Sequence, residues 1–576
     1  MELTRLNILT PIQARLRARA LAQAQSRLES RVLPTACEVC AARGESCHAA
    51  PKISLSRTQI GLRLFTVLMV GAVLLPVIYL IIRAVQAGEA GIKYLFSGRT
   101  FTVIGNSLML TLAVTLSSVL IGTLFGWLTS RTDLPLRRLW LISGLLPLVI
   151  PSYIGAMTFT AAFGTKGYLQ AMLAPLGVAA LPSIYGFFGA WLVITLFTYP
   201  YVVIPVRTAL LNADPALEES ARSMGLNAWA VFRRVTLPQL RPALGIGIVL
   251  SALYTLSDFG AVAIMQFDAF TRVIFVQYTS SFNRGLAAVL SLVLVVIALG
   301  LIVLERRLSC HSRNYRIGVG ASRKPRPIRL GRWRFPALLF CTSLVMLGVG
   351  TPLLVLLAWL HQGVQRQIEM PALGVPLQNT LAASVLAALT VGAAAIPLAI
   401  LGARARGRVA RWLVQLTFLG NGLPGLVIAL SLVFFAANAL PGLYQTLPIL
   451  VFGYVVRFLP LSVGATRSAL TQINPRLEEA GRSLGFSSWR VALRVTVPLV
   501  RTGALGGMAL VFLNTMKELP TTLLLSPIGF RSLTGQLWSA QNDAMWTQAA
   551  APALVIIVVS ALSLGLILRR DNHLRV

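Results

Sequence analysis

Apolar residues run almost unbroken through windows at 64–82, 103–129, 139–162, 184–206, 243–265 and 286–305. After a polar gap they recur at 336–359, 378–402, 412–436, 445–466, 502–525 and 549–568. Each window can cross about 30 Å of hydrocarbon as a helix, the form that satisfies its own backbone hydrogen bonds where water is absent. The pattern predicts an all-α polytopic membrane protein of about 12 transmembrane helices. Composition agrees, since 56% of the 576 residues are apolar and 12% charged, against about 25% charged in a soluble chain. Mean hydropathy is +0.75. A soluble enzyme is excluded.

The net charge of +33, from 51 Lys and Arg against 18 Asp and Glu, would suggest nucleic acid on a soluble chain. In a membrane protein, basic residues gather instead in cytoplasmic loops against anionic lipid. With the N-terminus inside, cytoplasmic segments hold 41 Lys and Arg, outer loops hold 8, and Arg457 and Lys517 fall within spans. That asymmetry predicts cytoplasmic termini at both ends, with the lipid bilayer rather than nucleic acid as partner. The first apolar run starts near Leu64 behind a long basic lead, so no secretory leader is expected.

The chain is also a tandem repeat. Asn106-Ser107-Leu108 matches Asn379-Thr380-Leu381, and Pro151 matches Pro424, at an offset of 273. Pro200 matches Pro460, Glu218-Glu219 matches Glu478-Glu479, and Asp258 matches Glu518, at an offset of 260. The second copy is therefore 13 residues shorter between its third span and its large cytoplasmic loop. Six spans per copy is an even number, so the two six-helix repeats lie parallel, related by a pseudo-twofold along the membrane normal.

The expected organisation is a basic cytoplasmic tail at 1–57, a first repeat at 58–305, a basic cytoplasmic linker at 306–334, a second repeat at 335–570 and a short tail at 571–576. In the first tail, Cys37, Cys40, Cys47 and His48 have a spacing that could ligate zinc. The spacing is cramped and no second hairpin supports it, so a disordered tail is the favoured reading. With Cys310 and Cys341 the chain has five cysteines, too few and too clustered for a disulfide framework.

The most specific signal is a cytoplasmic loop between spans four and five that occurs in both copies. The first runs from Asp214-Pro215 through Glu218-Glu219-Ser220-Ala221-Arg222 to Gly225, then Trp229, Arg234, Thr236 and Pro238. The second runs from Asn474-Pro475 through Glu478-Glu479-Ala480-Gly481-Arg482 to Gly485, then Trp489, Arg494, Thr496 and Pro498. Physically this is a short helix, a turn and a second helix. Asp214 or Asn474 caps free N–H groups, and proline at the next position loses nothing. The glutamates sit where the helix dipole favours negative charge. Gly225 and Gly485 fall where a helix stops in a left-handed residue, and the tryptophans open a second helix that ends at Pro238 or Pro498. A connector needs no such duplication. Two matching surfaces presented to a twofold-symmetric partner explain it.

These loops resemble the E-A-A-x-x-x-G signature of the permease subunits of binding-protein-dependent ABC importers. The motif's alanine pair is Ser220-Ala221 in one copy and Ala480-Gly481 in the other. The resemblance covers about residues 58–570 and implies the type I ABC importer permease fold in the bacterial inner membrane. It implies that each loop is a coupling helix seated in a groove of an ATPase subunit, through Glu218, Glu219, Arg222 and Gly225 and through Glu478, Glu479, Arg482 and Gly485. Two copies of an ATP-binding subunit and a periplasmic solute-binding protein are the implied partners. Among such permeases the double-length chain is most similar to ferric-iron importers, on Ser257-Asp258-Phe259-Gly260 and on the stretch from Thr515 through Lys517-Glu518 to Thr522. Thiamine, phosphonate and polyamine permeases share the architecture and remain alternatives.

No G-x4-G-K-[ST] run occurs, so ATP is left to separate subunits and no cofactor is expected in this chain. No nucleophile–histidine constellation stands out, and His48, His311, His361 and His573 lie outside the apolar windows. The chain is therefore expected to be neither an enzyme nor a metal-binding protein. Asp258, Arg457, Lys517 and Glu518 are charged within spans, where ionised groups cost about 2.5–3.5 kcal/mol on insertion scales. They should face the interface between repeats, paired or wetted, lining or gating a translocation path. Asp258 and Lys517 each lie 15 residues past the start of their windows, roughly 22 Å along a helix. Lys517 and Glu518, as helix neighbours, should point about 100° apart. The competing class is an ion-driven secondary transporter, for which these charges would be the ion path. It offers no reason for the duplicated loop.

Overall fold

The computed structural model of the chain describes residues 57–213, 215–280, 284–309, 327–404 and 408–570. Asp214, the Cys37–His48 run, most of the linker and the C-terminal tail lie outside them. The first repeat supplies α1 (Arg57–Gln86), α2 (Gly98–Arg131), α3 (Ser152–Phe163), α4 (Phe187–Asn212), α5 (Pro215–Ser223), α6 (Leu237–Ser257) and α7 (Arg284–Ser309). The second supplies α8 (Thr351–Gln365), α9 (Gly374–Arg404), α10 (Gly425–Ala439), α11 (Leu447–Thr471), α12 (Arg476–Ser483), α13 (Val497–Met516) and α14 (Trp546–Arg570). The 13-residue difference between copies falls between α3 and α4, since Ser152 and Gly425 keep the 273 offset while Phe187 and Leu447 keep 260.

Among the described residues ten helices are long and apolar enough to cross a membrane, and twelve spans result if each of two bent pairs counts as one. Those pairs are the expected third and ninth spans, which are not straight helices. Arg137–Leu148 and Ser152–Leu176 meet at 100°, and Trp412–Gly420 and Gly425–Ala439 at 97°. Pro151 and Pro424 stand at the corners in extended conformation; proline donates no N–H and pushes the residue before it out of the helical region. The fifth and eleventh spans also end early, at Ser257 and Met516, and restart as the short helices Gly260–Ile264 and Pro520–Leu525.

Each repeat is built on three helices packed through small residues: α2, α4 and α6 in the first, α9, α11 and α13 in the second. A Cβ at Gly122 would meet the Tyr199 carbonyl at 2.8 Å, and one at Gly507 would meet the Ser462 backbone at 2.9 Å. Close backbone approach replaces the hydrophobic drive that lipid removes. The repeats also exchange their first spans. Ser431 of α10 donates to the Pro76 carbonyl of α1 at 2.6 Å, Tyr79 meets Phe435 edge-on, and α8 packs on α3. Both repeats thus belong to one compact unit, Gly61–Val576.

The repeated Asn-Ser and Asn-Thr pairs have a shared task. Asn106 Nδ2 donates to the Asp268 carbonyl and Asn379 Nδ2 to the Arg531 carbonyl. Ser107 Oγ accepts the Phe270 N–H at 3.0 Å and Thr380 Oγ1 the Leu533 N–H at 2.9 Å. Each pair fastens the first turn of a short helix, Phe270–Thr279 or Leu533–Asn542, to the long helix beside it. Thr380→Val keeps the shape and strands a buried N–H, which costs about 1–3 kcal/mol. Thermal unfolding of the purified protein should show a lowered midpoint for Thr380→Val and near-normal behaviour for Thr380→Ser.

Candidate functional site

The two loops fold alike. Asn474 Oδ1 accepts the Arg476 N–H at 3.0 Å, and Gly225 and Gly485 sit at φ +84° and +82°. The Leu226 N–H returns to the Ala221 carbonyl and the Phe486 N–H to the Gly481 carbonyl, the bond that closes a helix at a left-handed residue. Asn227 Oδ1 then accepts the Ala230 N–H at 2.8 Å, a cap the sequence reading missed. The second helix does not end at Pro238 or Pro498, as expected. It continues as one span, Trp229–Ser257 or Trp489–Met516. A π turn precedes each proline, Phe232–Thr236 or Ala492–Thr496, and shifts the bonding register so that a missing N–H costs little.

The paired glutamates divide their labour. Glu218 turns inward to an ion pair with Arg131 at the end of α2, and its Oε1 accepts from Thr236 Oγ1 at 3.1 Å. Glu478 does the same with Arg404 at 3.2 Å and Thr496 at 3.3 Å. Each π turn thereby swings a threonine onto a carboxylate that also holds α2 or α9. Neither arginine was singled out from sequence, although Arg131 and Arg404 keep the 273 offset and Thr236 and Thr496 the 260 offset. Glu219, Arg222, Glu479 and Arg482 are exposed. Around them Met224 and Leu484 are three-quarters exposed, and Trp229 and Trp489 are 69% and 61% exposed. Each loop thus has a braced inner face and an apolar, charged outer face.

A cavity of about 630 Å³ opens between the repeats and is lined by Asp258, Arg457, Lys517 and Glu518 together with Tyr153, Tyr201 and Tyr254. All four charges expected within spans meet here. Ser152 Oγ donates to Asp258 Oδ2, and Asp258 Oδ1 accepts the Ala261 N–H at 2.9 Å, capping Gly260–Ile264. Arg457 Nη1 lies 2.7 Å from Glu518 Oε1, which also accepts from Thr521 Oγ1 at 2.8 Å. Lys517 Nζ donates across the repeats to the Leu148 carbonyl at 2.8 Å. Lys517 and Glu518 are not neighbours on one helix face, because α13 stops at Met516 and both lie in the break. Among the described residues no cluster of three or more His, Cys, Asp or Glu side chains could hold a metal ion.

The pseudo-twofold is broken at this point. Position 425 corresponds to Ser152, and Arg457 to Phe197. A Cβ at Gly425 would overlap the Arg457 guanidinium, while in the first repeat a Cβ at Gly155 would overlap the Phe197 ring. One repeat therefore anchors its carboxylate with a serine, and the other with an arginine over a glycine.

Two fused six-span repeats, a shared polar cavity and a pair of braced loops define the membrane component of a transporter, not an enzyme. The chain belongs to the family described as "Binding-protein-dependent transport system inner membrane component", which matches residues 118–308 and 395–575. It is a double-length permease of the ABC importer class, a multi-pass inner-membrane protein, and the ion-driven alternative is set aside. It is 30% identical over 498 residues to the Fe(3+)-transport system permease protein FbpB 2 of Haemophilus influenzae, covering 86% of this chain and 95% of that one. Identity to the ferric transport system permease protein FbpB of Actinobacillus pleuropneumoniae is 24%, over 82% and 72% of the two chains. The sulfate transport system permease protein CysW of Synechocystis is 31% identical, over 44% of this chain and 93% of its own.

Gly425→Ala should displace Arg457 and leave Glu518 buried without its cation, at about 3 kcal/mol. Arg457→Leu should cost a similar amount. Because both break one interaction, the double variant should be no less stable than either single one, a non-additivity that thermal unfolding would register.

Proposed function

We propose that the chain forms the path by which ferric iron, released from a periplasmic binding protein, enters the cell at the expense of ATP hydrolysed by two ATPase subunits. Both termini and both coupling loops face the cytoplasm, in keeping with the excess of basic residues on that side. The observation that carries the reading is the pair of loops, each with an exposed tryptophan and charged outer face and an inner glutamate tied to a transmembrane helix. An ATPase seated on Glu219, Arg222 and Trp229, or on Glu479, Arg482 and Trp489, can pull on α2 or α9 through Glu218 or Glu478. Gly225 and Gly485 set the exit angle of each loop. Asp258, Arg457, Lys517 and Glu518 line and gate the cavity. Iron is favoured over sulfate because the similarity to the iron permease runs through both repeats, whereas the sulfate permease matches less than half of this chain.

Reconstitution with the ATPase and an iron-loaded binding protein tests the reading. ATP-dependent iron uptake, insensitive to a protonophore, is expected, and Asp258→Asn with Glu518→Gln should alter uptake while the complex still assembles. Sulfate or thiamine uptake in place of iron would overturn the substrate. Gly225→Val with Gly485→Val places branched residues at left-handed positions, at about 1–2 kcal/mol each. Recovery of the ATPase on the purified permease should fall roughly tenfold, and undiminished recovery would sink the docking role.

A further inference from the structure

The end of the linker between repeats is not a free tether. Residues 327–330 run parallel to the chain leaving α2, with Thr132 opposite Ile328. The Ile328 N–H donates to the Arg131 carbonyl at 2.7 Å, and the Asp133 N–H donates to the Ile328 carbonyl at 3.1 Å. Asp133 Oδ1 accepts the Leu330 N–H at 2.9 Å. Leu134 and Leu330 are buried, and Thr132 Oγ1 bonds back to the Leu128 carbonyl at 2.6 Å. Three hydrogen bonds set the register of this strap, which apolar burial alone would leave free to slide. It is the one bridge of strand type among the described residues.

What the strap grips is the coupling brace. Arg131 offers its carbonyl to Ile328 and its guanidinium, 4% exposed, to Glu218. Its counterpart is held differently. Arg404 Nη2 reaches the carbonyls of Leu470 and Ile473, where α11 ends, whereas Arg131 Nη1 is buried with no hydrogen-bond partner. The first brace lacks the side-chain anchorage of the second, and its orientation depends on where the Arg131 backbone is fixed.

We propose that the linker strap 327–330 is a working part of the first coupling loop: it positions Arg131 so that the Arg131–Glu218 pair transmits movement between α5 and α2. The fused chain thus uses its inter-repeat connection to rigidify one of its two loops. The inference rests on the docking role proposed above for those loops.

The test uses the full-length chain, its five cysteines replaced by alanine, with a nitroxide on Met224→Cys or Leu484→Cys to report each loop separately. Ile328→Pro removes the donor to Arg131, Asp133→Ala removes the acceptor for Leu330, and Asp133→Asn keeps it. The first two variants should raise label mobility at Met224 and leave Leu484 unchanged, and Asp133→Asn should behave as the parent. In proteoliposomes with ATPase and binding protein, substrate moved per ATP should fall roughly fivefold, the factor set by one lost hydrogen bond. Unchanged mobility at Met224, or equal loosening at both loops, would overturn the proposal. Loosening at Met224 with an unchanged transport-to-ATP ratio would overturn its coupling role. The label needs neither substrate nor ATPase, so an error about iron or docking does not disturb that readout. If Ile328→Pro fails to insert, Asp133→Ala against Asp133→Asn makes the same comparison.

Discussion

Inside hydrocarbon, a helix can stop only where something other than water satisfies its backbone. Among the described residues four spans are interrupted, at Leu148, Leu423, Ser257 and Met516, and side chains answer three of the interruptions directly. Lys517 takes the Leu148 carbonyl, the Asp258 carboxylate takes the Ala261 N–H, and Thr271 and Thr522 return hydroxyls to the carbonyls of Asp258 and Glu518. Two of the charged residues that would be costly in an unbroken helix, Asp258 and Lys517, are therefore among the groups that make the breaks tolerable. Breaks gathered at one place leave a polar cavity between the repeats.

The same economy operates at the loops. A short helix of eight or nine residues has little stability of its own, and a partner could bend it without moving anything else. The inward glutamate prevents that. Held by an arginine from α2 or α9 and a threonine from the π turn, it ties the loop to two spans at once. A largely buried, multiply bonded carboxylate resists displacement more than a surface ion pair does. The outward residues are left free to meet another molecule.

The repeats keep the residue types of the braces alike and let the cavity diverge. Arg131 and Arg404, Thr236 and Thr496, and Glu218 and Glu478 all correspond. At and beside the cavity Phe197 corresponds to Arg457, Ser152 to Gly425, and Ser257 to Lys517. Two similar loops suit two similar partners, whereas a single path serving one solute needs no symmetry. Fusion into one chain lets each repeat specialise.

The approximate number and placement of the spans, the duplication, the loops and the positions of the charged residues along the chain were legible in the sequence. Hydropathy, capping residues and repeat offsets depend on neighbours along the chain, and Gly225 and Gly485 declare a left-handed stop by their identity and place. The bends at Pro151 and Pro424 were half legible: the prolines were visible, but apolar windows carry no sign of direction. Which glutamate of each pair turns inward, that Gly425 exists to admit Arg457, and that α1 and α8 cross to the opposite repeat belong to the tertiary structure. So does the contact of Lys517 with a carbonyl 369 residues away. A buried charge takes whatever partner the packed helices place within reach, and helix packing between repeats is decided by shapes that no local pattern records.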